Sequence, residues 1–227
     1  MTPPGMTPCR MTLEDRPLAA RRTAKTRPLP TFDPVPSARF GLEVLDRSKS
    51  RRALIGRVAM WYWLDDEADH EHTKDVDFAV PQASIPAILE ALHQTGAEVS
   101  QLTIGGVNAR ISKQGVRADF IDRSSEEWGN LQPLYLDAIG AAEAQDDQLE
   151  GIPVAPPEHL VAMKLAAGTD KDERDAIRLI AKVKDLDVEA TRNLVRKFLG
   201  PGLLGRLEEC LRRAGHPRAR RAYSLGS

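Results

Sequence analysis

Apolar residues along this chain fall into runs that are separated by polar segments containing glycine and proline. Between residues 50 and 122 the runs are short and partly alternate with polar residues, a spacing typical of β-strands. Beyond Pro156 the apolar residues recur at the three- and four-residue spacing of helices. The pattern predicts an α+β fold, in which a mixed β-sheet with helices is followed by a helical C-terminal region.

The individual runs give a predicted order of elements. Strands are predicted at 53–56, 75–80, 99–104, 107–111 and 116–122, with a short extended piece at 149–154. Gly105-Gly106 indicates a hairpin between two of these strands. Helices are predicted at 37–48, 57–64, 84–96, 131–142, 157–165, 171–184, 188–199 and 203–214. Ser37 and Ser84 are the expected N-caps of two helices, and Gly96 is an expected C-cap.

Four parts are expected along the chain. Residues 1–35 are polar and basic and are interrupted repeatedly by proline, so we expect them to be poorly ordered, like the arginine-rich residues 216–227. Residues 36–155 are expected to form the sheet-containing core, and residues 156–215 the helical region. Basic tails of this kind are usually solvated, so contact with nucleic acid is the less favoured interpretation.

Composition narrows the class of protein. The 227 residues carry a net charge of −1 and are 41% hydrophobic, which suits a normal core and gives no overall field that favours nucleic acid. The 2 cysteines do not form a disulfide or zinc pattern, which favours the cytoplasm. No apolar stretch approaches the ~20 residues that span a membrane, and no export signal is expected.

The most informative motif is Thr73-Lys74-Asp75-Val76-Asp77-Phe78. Side chains two positions apart project from the same face of a strand, so Asp75 and Asp77 are expected side by side. Their charges repel each other unless a cation lies between them, and a rigid carboxylate pair suits Mg²⁺. Most D-x-D sequences are solvated turns or strand ends. Here, however, a strand, a glycine and a helix precede the motif, and a strand with a third aspartate follows it.

The chain resembles the nucleotidyltransferase superfamily with a polymerase-β-like core, and within it the AbiEii-type toxins of toxin–antitoxin pairs. The resemblance covers about residues 52–180 and rests on three segments. They are Leu54-Ile55-Gly56 ahead of a helix, the D-x-D motif, and the stretch 156–165 with its continuation at 170–175. The resemblance implies transfer of a nucleoside monophosphate from an NTP to an acceptor, with release of pyrophosphate and with two Mg²⁺ ions between the carboxylates and the triphosphate.

The carboxylates carry over residue by residue. Asp75 and Asp77 match the metal-binding pair, and Asp119 matches the third carboxylate, which holds the metal near the attacking group and can accept a proton. Asp122 is a rival to Asp119, because alternation points the two to opposite faces of their strand. Asp119 is preferred because apolar residues follow it as in the family.

Other positions match groups that bind nucleotide or support the site. Gly56 and Thr73 are expected near the phosphates, although Thr73 alternatively caps its own loop. Lys164 matches a helical lysine that contacts the triphosphate, although a lysine among apolar neighbours also simply reaches the surface. Asp172 and Asp175 either support the site or only pair with basic residues on their own helix.

Arg57 departs from the family, which has a small residue after the glycine. A small residue lets backbone N–H groups at a helix N-terminus approach phosphate closely. Arg57 therefore either obstructs that approach or supplies its guanidinium to the triphosphate.

Three functions follow in order of preference. The first is an Mg²⁺-dependent nucleotidyltransferase whose acceptor is RNA such as a tRNA end, a protein or a small molecule, and which acts as a toxin with an antitoxin partner. The second is a catalytically inactive protein of the same fold that binds a nucleotide or a partner, an interpretation that Arg57 motivates. The third is an α+β protein whose basic ends bind nucleic acid.

Overall fold

The computed structural model describes residues 33–145, 149 and 151–218. Of the tails predicted at 1–35 and 216–227, residues 1–32 and 219–227 lie outside the described residues. Five strands form one mixed sheet. They are β1 (Ala53–Ile55), β2 (Val76–Ala79), β3 (Glu98–Gln101), β4 (Gly106–Ile111) and β5 (Val116–Ile121).

Helices surround this sheet and make up the C-terminal part of the described chain. They are α1 (Pro34–Arg47), α2 (Gly56–Trp63), α3 (Ile85–His93), α4 (Gln132–Glu143), α5 (Pro157–Ala167), α6 (Asp170–Lys182), α7 (Val188–Leu194) and α8 (Pro201–Arg213). A π-helical segment, Val195–Leu199, extends α7. The predicted fold class, a mixed sheet with helices followed by a helical region, is confirmed. No helix in the described ranges is long and apolar enough to cross a membrane.

The sheet has the strand order β1-β2-β5-β4-β3. β2 and β5 run parallel, and the other neighbouring pairs run antiparallel. Partners on adjacent strands share one face of a sheet, so the register places Asp77, Asp119 and Asn108 in one row across the three central strands. This row is the foundation of the candidate site.

The opposite face of the sheet is apolar and packs against α1 and α3. Phe78 and Phe120, from the two parallel strands, are fully buried and stack with their ring centroids 6.1 Å apart. A separate contact links α2 to the C-terminal helices: Trp63 at the end of α2 donates a 2.9 Å hydrogen bond to the carbonyl of Ala155, just before α5. One continuous hydrophobic core therefore joins the sheet to the C-terminal helices.

Helix boundaries differ from the sequence-based prediction mainly at the caps. α1 begins at Pro34, and Asp33 is its N-cap, accepting a 3.0 Å hydrogen bond from the backbone N–H of Val35. The prediction of Ser37 as N-cap is therefore wrong, because Asp33-Pro34 starts the helix one turn earlier and proline needs no partner for an N–H there. Ser37 instead accepts a 3.0 Å hydrogen bond from the backbone N–H of Arg117 in β5.

Three other boundary predictions are also corrected. Ser84 does precede α3, but its side chain makes no capping hydrogen bond. The same helix ends at His93 with Gln94 as its C-cap, so the prediction of Gly96 as C-cap is wrong. The helix predicted to start at residue 203 already starts at Pro201, since proline is well suited to a first helical turn.

A glycine inside α1 tests how tightly this helix packs on the sheet. A Cβ added to Gly41 would lie 2.3 Å from Cε2 of Phe78. We expect Gly41→Ala to destabilise the fold by about 1–3 kcal/mol through overpacking, despite the better helix propensity of alanine. Urea unfolding measures the change. Gly205→Ala in α8, where nothing lies within 4 Å, is the matched control and should be neutral or slightly stabilising. Equal effects of the two substitutions would contradict the packing argument.

Candidate active site

Three carboxylates lie where β2 and β5 run side by side. Asp77 is within β2, Asp119 is its register partner on β5, and Asp75 comes just before β2. Burial, together with the charges of Asp75 and Asp119, raises the pKa of Asp77 to about 8. The pKa of Asp119 is also raised, chiefly by burial, and in part by Asp75. The structure therefore brings the three predicted carboxylates within electrostatic reach of one another.

Two polar side chains hold the outer members of this cluster. Thr73 donates a 3.0 Å hydrogen bond to Oδ1 of Asp75, so its side chain orients the first carboxylate. Asn108 donates to Oδ1 of Asp119 from the neighbouring strand. Arg110 in turn donates a 3.1 Å hydrogen bond from Nε to Oδ1 of Asn108. The cluster is thus fixed by its neighbours before any ligand arrives.

Sequence analysis missed Asn108. Its only signal was an asparagine in the middle of a strand between Val107 and Ala109, where the residue type is disfavoured. A buried amide of this kind needs a polar partner, but the partner becomes known only from the register between β4 and β5.

Asp122 occupies a different place from Asp119. It is 3% exposed and accepts a 2.9 Å hydrogen bond from the backbone N–H of Ser124. Its carboxylate also faces Gly105 in the β3–β4 connection. Asp122 thus closes a turn beyond the end of β5, while Asp119 faces Asp77.

Gly56 lies directly against the central carboxylate. It has a positive φ of 68°, and an added Cβ would lie 2.0 Å from Oδ2 of Asp77. Its chain neighbour Ile55 is the antiparallel partner of Asp77, which explains the close approach. Only glycine combines this backbone conformation with the contact.

Arg57 is buried and points into a network of ion pairs. Its guanidinium donates to both carboxylate oxygens of Asp175, at 3.2 and 3.1 Å. It also donates to Glu71 at 2.6 Å and to the carbonyl of His72 at 2.7 Å. Arg178 pairs with Glu71 and Asp175 as well. The side chain that the sequence placed near phosphate is here held between α6 and the loop that leads to the D-x-D strand.

Lys164 belongs to the same network. Its ammonium lies 3.0 Å from Asp172 and 2.9 Å from Asp175. Burial works to lower the pKa of Lys164, but these two carboxylates raise it overall. Burial likewise works to raise the pKa of Asp175, and Lys164 and Arg57 lower it overall. Lys164 also acts on Asp77 through its charge, so it lies within electrostatic reach of the carboxylate cluster.

Counted together, this network is electrically balanced. Three cations and three carboxylates take part, and all of them are wholly or partly shielded from water. They are Arg57, Lys164 and Arg178 with Glu71, Asp172 and Asp175. Such balance is what makes a buried charge tolerable, because each ion keeps a partner in place of lost water.

The carboxylate cluster has the donor chemistry of a site for a hard cation. Asp75, Asp77 and Asp119 offer only oxygen atoms, the ligands that Mg²⁺ prefers. Burial and then repulsion by Asp75 and Asp119 raise the pKa of Asp77, and a bound cation relieves repulsion of this kind. In the positions adopted here, no three His, Cys, Asp or Glu side chains within residues 33–145, 149 and 151–218 form a preassembled metal cage.

The loops before β2 and after β5 carry a histidine and an exposed tryptophan. Nε2 of His70 donates a 3.0 Å hydrogen bond to the carbonyl of Leu64, and the His70 ring stacks on Trp61. Trp128 is 56% exposed, in the loop between β5 and α4.

Comparisons with known proteins give only distant likenesses. No family model and no curated protein matches the sequence. The structure is similar to that of the antibiotic-resistance factor ANT(2″)-Ia, with a TM-score of 0.49 and 15% identity, over 80% of this chain and 100% of that one. It is also similar to an antigenic nucleotidyltransferase-like protein from Paracoccidioides brasiliensis, with a TM-score of 0.44 and 18% identity, over 77% and 91% of the two chains. At this distance function has to come from the residues of the site.

The contact between Gly56 and Asp77 can be tested by substitution. Gly56→Ala and Gly96→Ala introduce the same strain, because both glycines have a φ near +68°. Nothing lies within 4 Å of the Cβ position at Gly96, so we expect that variant to lose only about 1 kcal/mol. Gly56→Ala should lose a further 1–3 kcal/mol, about the cost of overpacking. Urea unfolding compares the two, and equal losses would show that Asp77 does not constrain Gly56.

The raised pKa of Asp77 predicts a pH dependence of stability. A carboxyl that binds its proton more tightly in the folded state stabilises the fold at low pH, and this stabilisation is lost as the pH rises from about 4 to about 8. At pH 9, Asp77→Asn should therefore be more stable than the wild type by at least about 1 kcal/mol, and it should unfold at a higher temperature. Its unfolding temperature should also change less with pH.

Thermal unfolding between pH 4 and 9 measures this effect. Asp65→Asn is the control, since its side chain is 82% exposed and should leave the profile unchanged. If the unfolding temperatures of the wild type and of Asp77→Asn changed with pH in parallel, the raised pKa of Asp77 would be contradicted.

Proposed function

We propose that this chain is a nucleotidyltransferase that transfers a nucleoside monophosphate from an NTP to an acceptor, with Mg²⁺ at the carboxylate cluster. One observation carries the proposal: the parallel register sets Asp77 beside Asp119, with Asp75 close enough to affect both. Three mutually repelling carboxylates at one place are unfavourable without a cation, so their retention points to a metal-assisted reaction.

In this reaction the acceptor oxygen forms a bond to the α-phosphorus, and the bond from that phosphorus to the pyrophosphate oxygen breaks. Asp75 and Asp77, together with Asp119, would hold Mg²⁺, which supplies charge stabilisation for the attacking and leaving oxygens. Asp119 has a raised pKa, which suits it to accept the proton of the acceptor. Thr73 and Asn108 hold the outer carboxylates in place.

The finer features of the proposal come from the resemblance of the motifs. They include an acceptor that is RNA, a protein or a small molecule, an AbiEii-type toxin role with an antitoxin partner, and a cytoplasmic location. Gly56 and Lys164 remain the proposed phosphate neighbours. Arg57, with its guanidinium committed to Asp175 and Glu71, is better suited to holding α6 and the loop before Asp75 in place.

A non-catalytic binding protein is the second candidate. The observation in its favour is Lys164, whose ammonium already has two carboxylate partners, so its charge is balanced before any phosphate binds and one of its three N–H donors is left for a phosphate. Steady release of pyrophosphate separates the two candidates, because a binding protein would take up Mg²⁺-NTP without turnover.

Substitution of the carboxylates tests the proposed reaction. Asp75→Asn, Asp77→Asn and Asp119→Asn should each lower the transfer of labelled α-phosphate from NTPs to cell extract by at least about a hundredfold, since each removes a charge at the reacting centre. Asp122→Asn is the control. It keeps the oxygen that accepts from Ser124 and should retain activity. Equal labelling by wild type and the three variants would refute the proposal. Loss of activity in Asp75→Asn, Asp77→Asn and Asp122→Asn, with activity kept in Asp119→Asn, would reassign the third carboxylate to Asp122.

A further inference from the structure

The buried arginines of the described chain differ in how their charge is balanced. There are three within residues 33–145, 149 and 151–218, namely Arg57, Arg123 and Arg192. Arg57 pairs with Glu71 and Asp175, and Arg192 pairs with Glu189 and Glu208. Among the described residues, Arg123 has no carboxylate within 4.0 Å. A buried guanidinium without a counterion is costly, so it calls for an explanation.

Protein groups satisfy only part of the Arg123 side chain. Nη1 donates a long 3.4 Å hydrogen bond to the carbonyl of Trp128, and the guanidinium interacts with the hydroxyl of Tyr135. Both partners are neutral. Asp122 is the chain neighbour, but its carboxylate is turned to Ser124 and Gly105 and is not paired with Arg123.

The backbone at Arg123 is also unfavourable. Its φ of +59° lies in the left-handed region, which costs a residue other than glycine about 1 kcal/mol or more. The carbonyl of Arg123 accepts a 3.0 Å hydrogen bond from the N–H of Leu131, just before α4, which helps to hold this conformation. Strain and an unbalanced charge thus coincide at one residue directly after the strand that carries Asp119.

The location links Arg123 to the candidate site, because its partner Tyr135 lies in α4, and α4 packs against β1 and against β2, the strand that carries Asp77. Burial raises the pKa of Tyr135 to about 12, with Arg123 opposing the rise and Asp77 and Asp172 adding to it. The Tyr135 hydroxyl therefore lies in the field of the arginine on one side and of the site carboxylates on the other. Lys164, the lysine near Asp77, is already neutralised by Asp172 and Asp175.

We propose that Arg123 is a further anion-binding residue of the site, and that its guanidinium binds a phosphate oxygen of the nucleoside triphosphate. The inference rests on the proposed function. A triphosphate supplies the counterion that the described residues do not provide, and a guanidinium is well matched to phosphate oxygens. Tyr135 and the Trp128 carbonyl orient the Arg123 side chain. Asp75, Asp77 and Asp119 would hold the Mg²⁺ that accompanies the triphosphate.

Calorimetric titration with magnesium tripolyphosphate tests this role without requiring turnover or a known acceptor. Arg123→Gln should weaken binding by roughly tenfold to a hundredfold, as expected for the loss of a charged hydrogen bond. The ligand-free variant should melt at the same temperature as the wild type or higher, because an unbalanced buried charge is removed. Arg123→Lys keeps the positive charge but lacks the planar pair of N–H donors of a guanidinium, so it should bind tripolyphosphate with intermediate affinity.

Arg192→Gln is the matched control. It removes a buried arginine together with its ion pairs to Glu189 and Glu208, so it should lower the melting temperature while the folded protein keeps its affinity for tripolyphosphate.

The outcomes separate this inference from the proposed function. Wild-type affinity that Arg123→Gln leaves unchanged would overturn the role of Arg123 alone. A large drop in the melting temperature of ligand-free Arg123→Gln would show instead that Arg123 braces the loop at Trp128, and would also overturn it. A wild type that does not bind magnesium tripolyphosphate would overturn both proposals. Binding that depends on Arg123 in a protein without transfer activity would uphold Arg123 and refute the transferase.

Discussion

The parallel pairing of β2 with β5 sets the character of the whole site, because it aligns two aspartates that are distant in sequence. Asp77 and Asp119 are neighbours across the strands, and their repulsion is retained in a partly buried position. The surrounding structure makes this possible. Gly56 leaves room beside Asp77, and Asn108 donates to Asp119, so the carboxylates are held by contacts that do not neutralise them.

Charge is distributed unequally between two neighbouring regions. The helices α5 and α6, with the loop before β2, carry an ion-pair network in which positive and negative charges balance. The sheet side carries an excess of negative charge at Asp75, Asp77 and Asp119, and a single buried arginine follows β5 without a counterion in the described residues. A ligand that combines a divalent cation with polyphosphate complements both of these imbalances at once.

Local patterns predicted much of this arrangement. The strand that carries Asp77, the β3–β4 hairpin and the helices after Pro156 follow from periodicity and turn chemistry, which are local properties. The predicted turn at Gly105-Gly106 is misplaced, because Gly106 already begins β4 and the turn occupies residues 102–105. Asn108 and Arg123 could not be found in the same way. The role of Asn108 depends on the strand register that sets it beside Asp119, and that of Arg123 depends on the absence of a carboxylate near it among the described residues. Ser37 shows the same limit at a cap, where a better start one turn earlier prevailed.

The contacts of Arg57 show that the sheet-containing core and the helical region, which were expected to meet near residue 156, depend on each other. Arg57 belongs to α2 in the sheet-containing part of the chain, but its carboxylate partner Asp175 is 118 residues further along, in α6. A shortened chain that ended before the C-terminal helices would keep the arginine and lose the anion that makes it tolerable. The two halves are therefore mutually dependent, and recombination that exchanged one helical region for another would have to transfer this partnership as well.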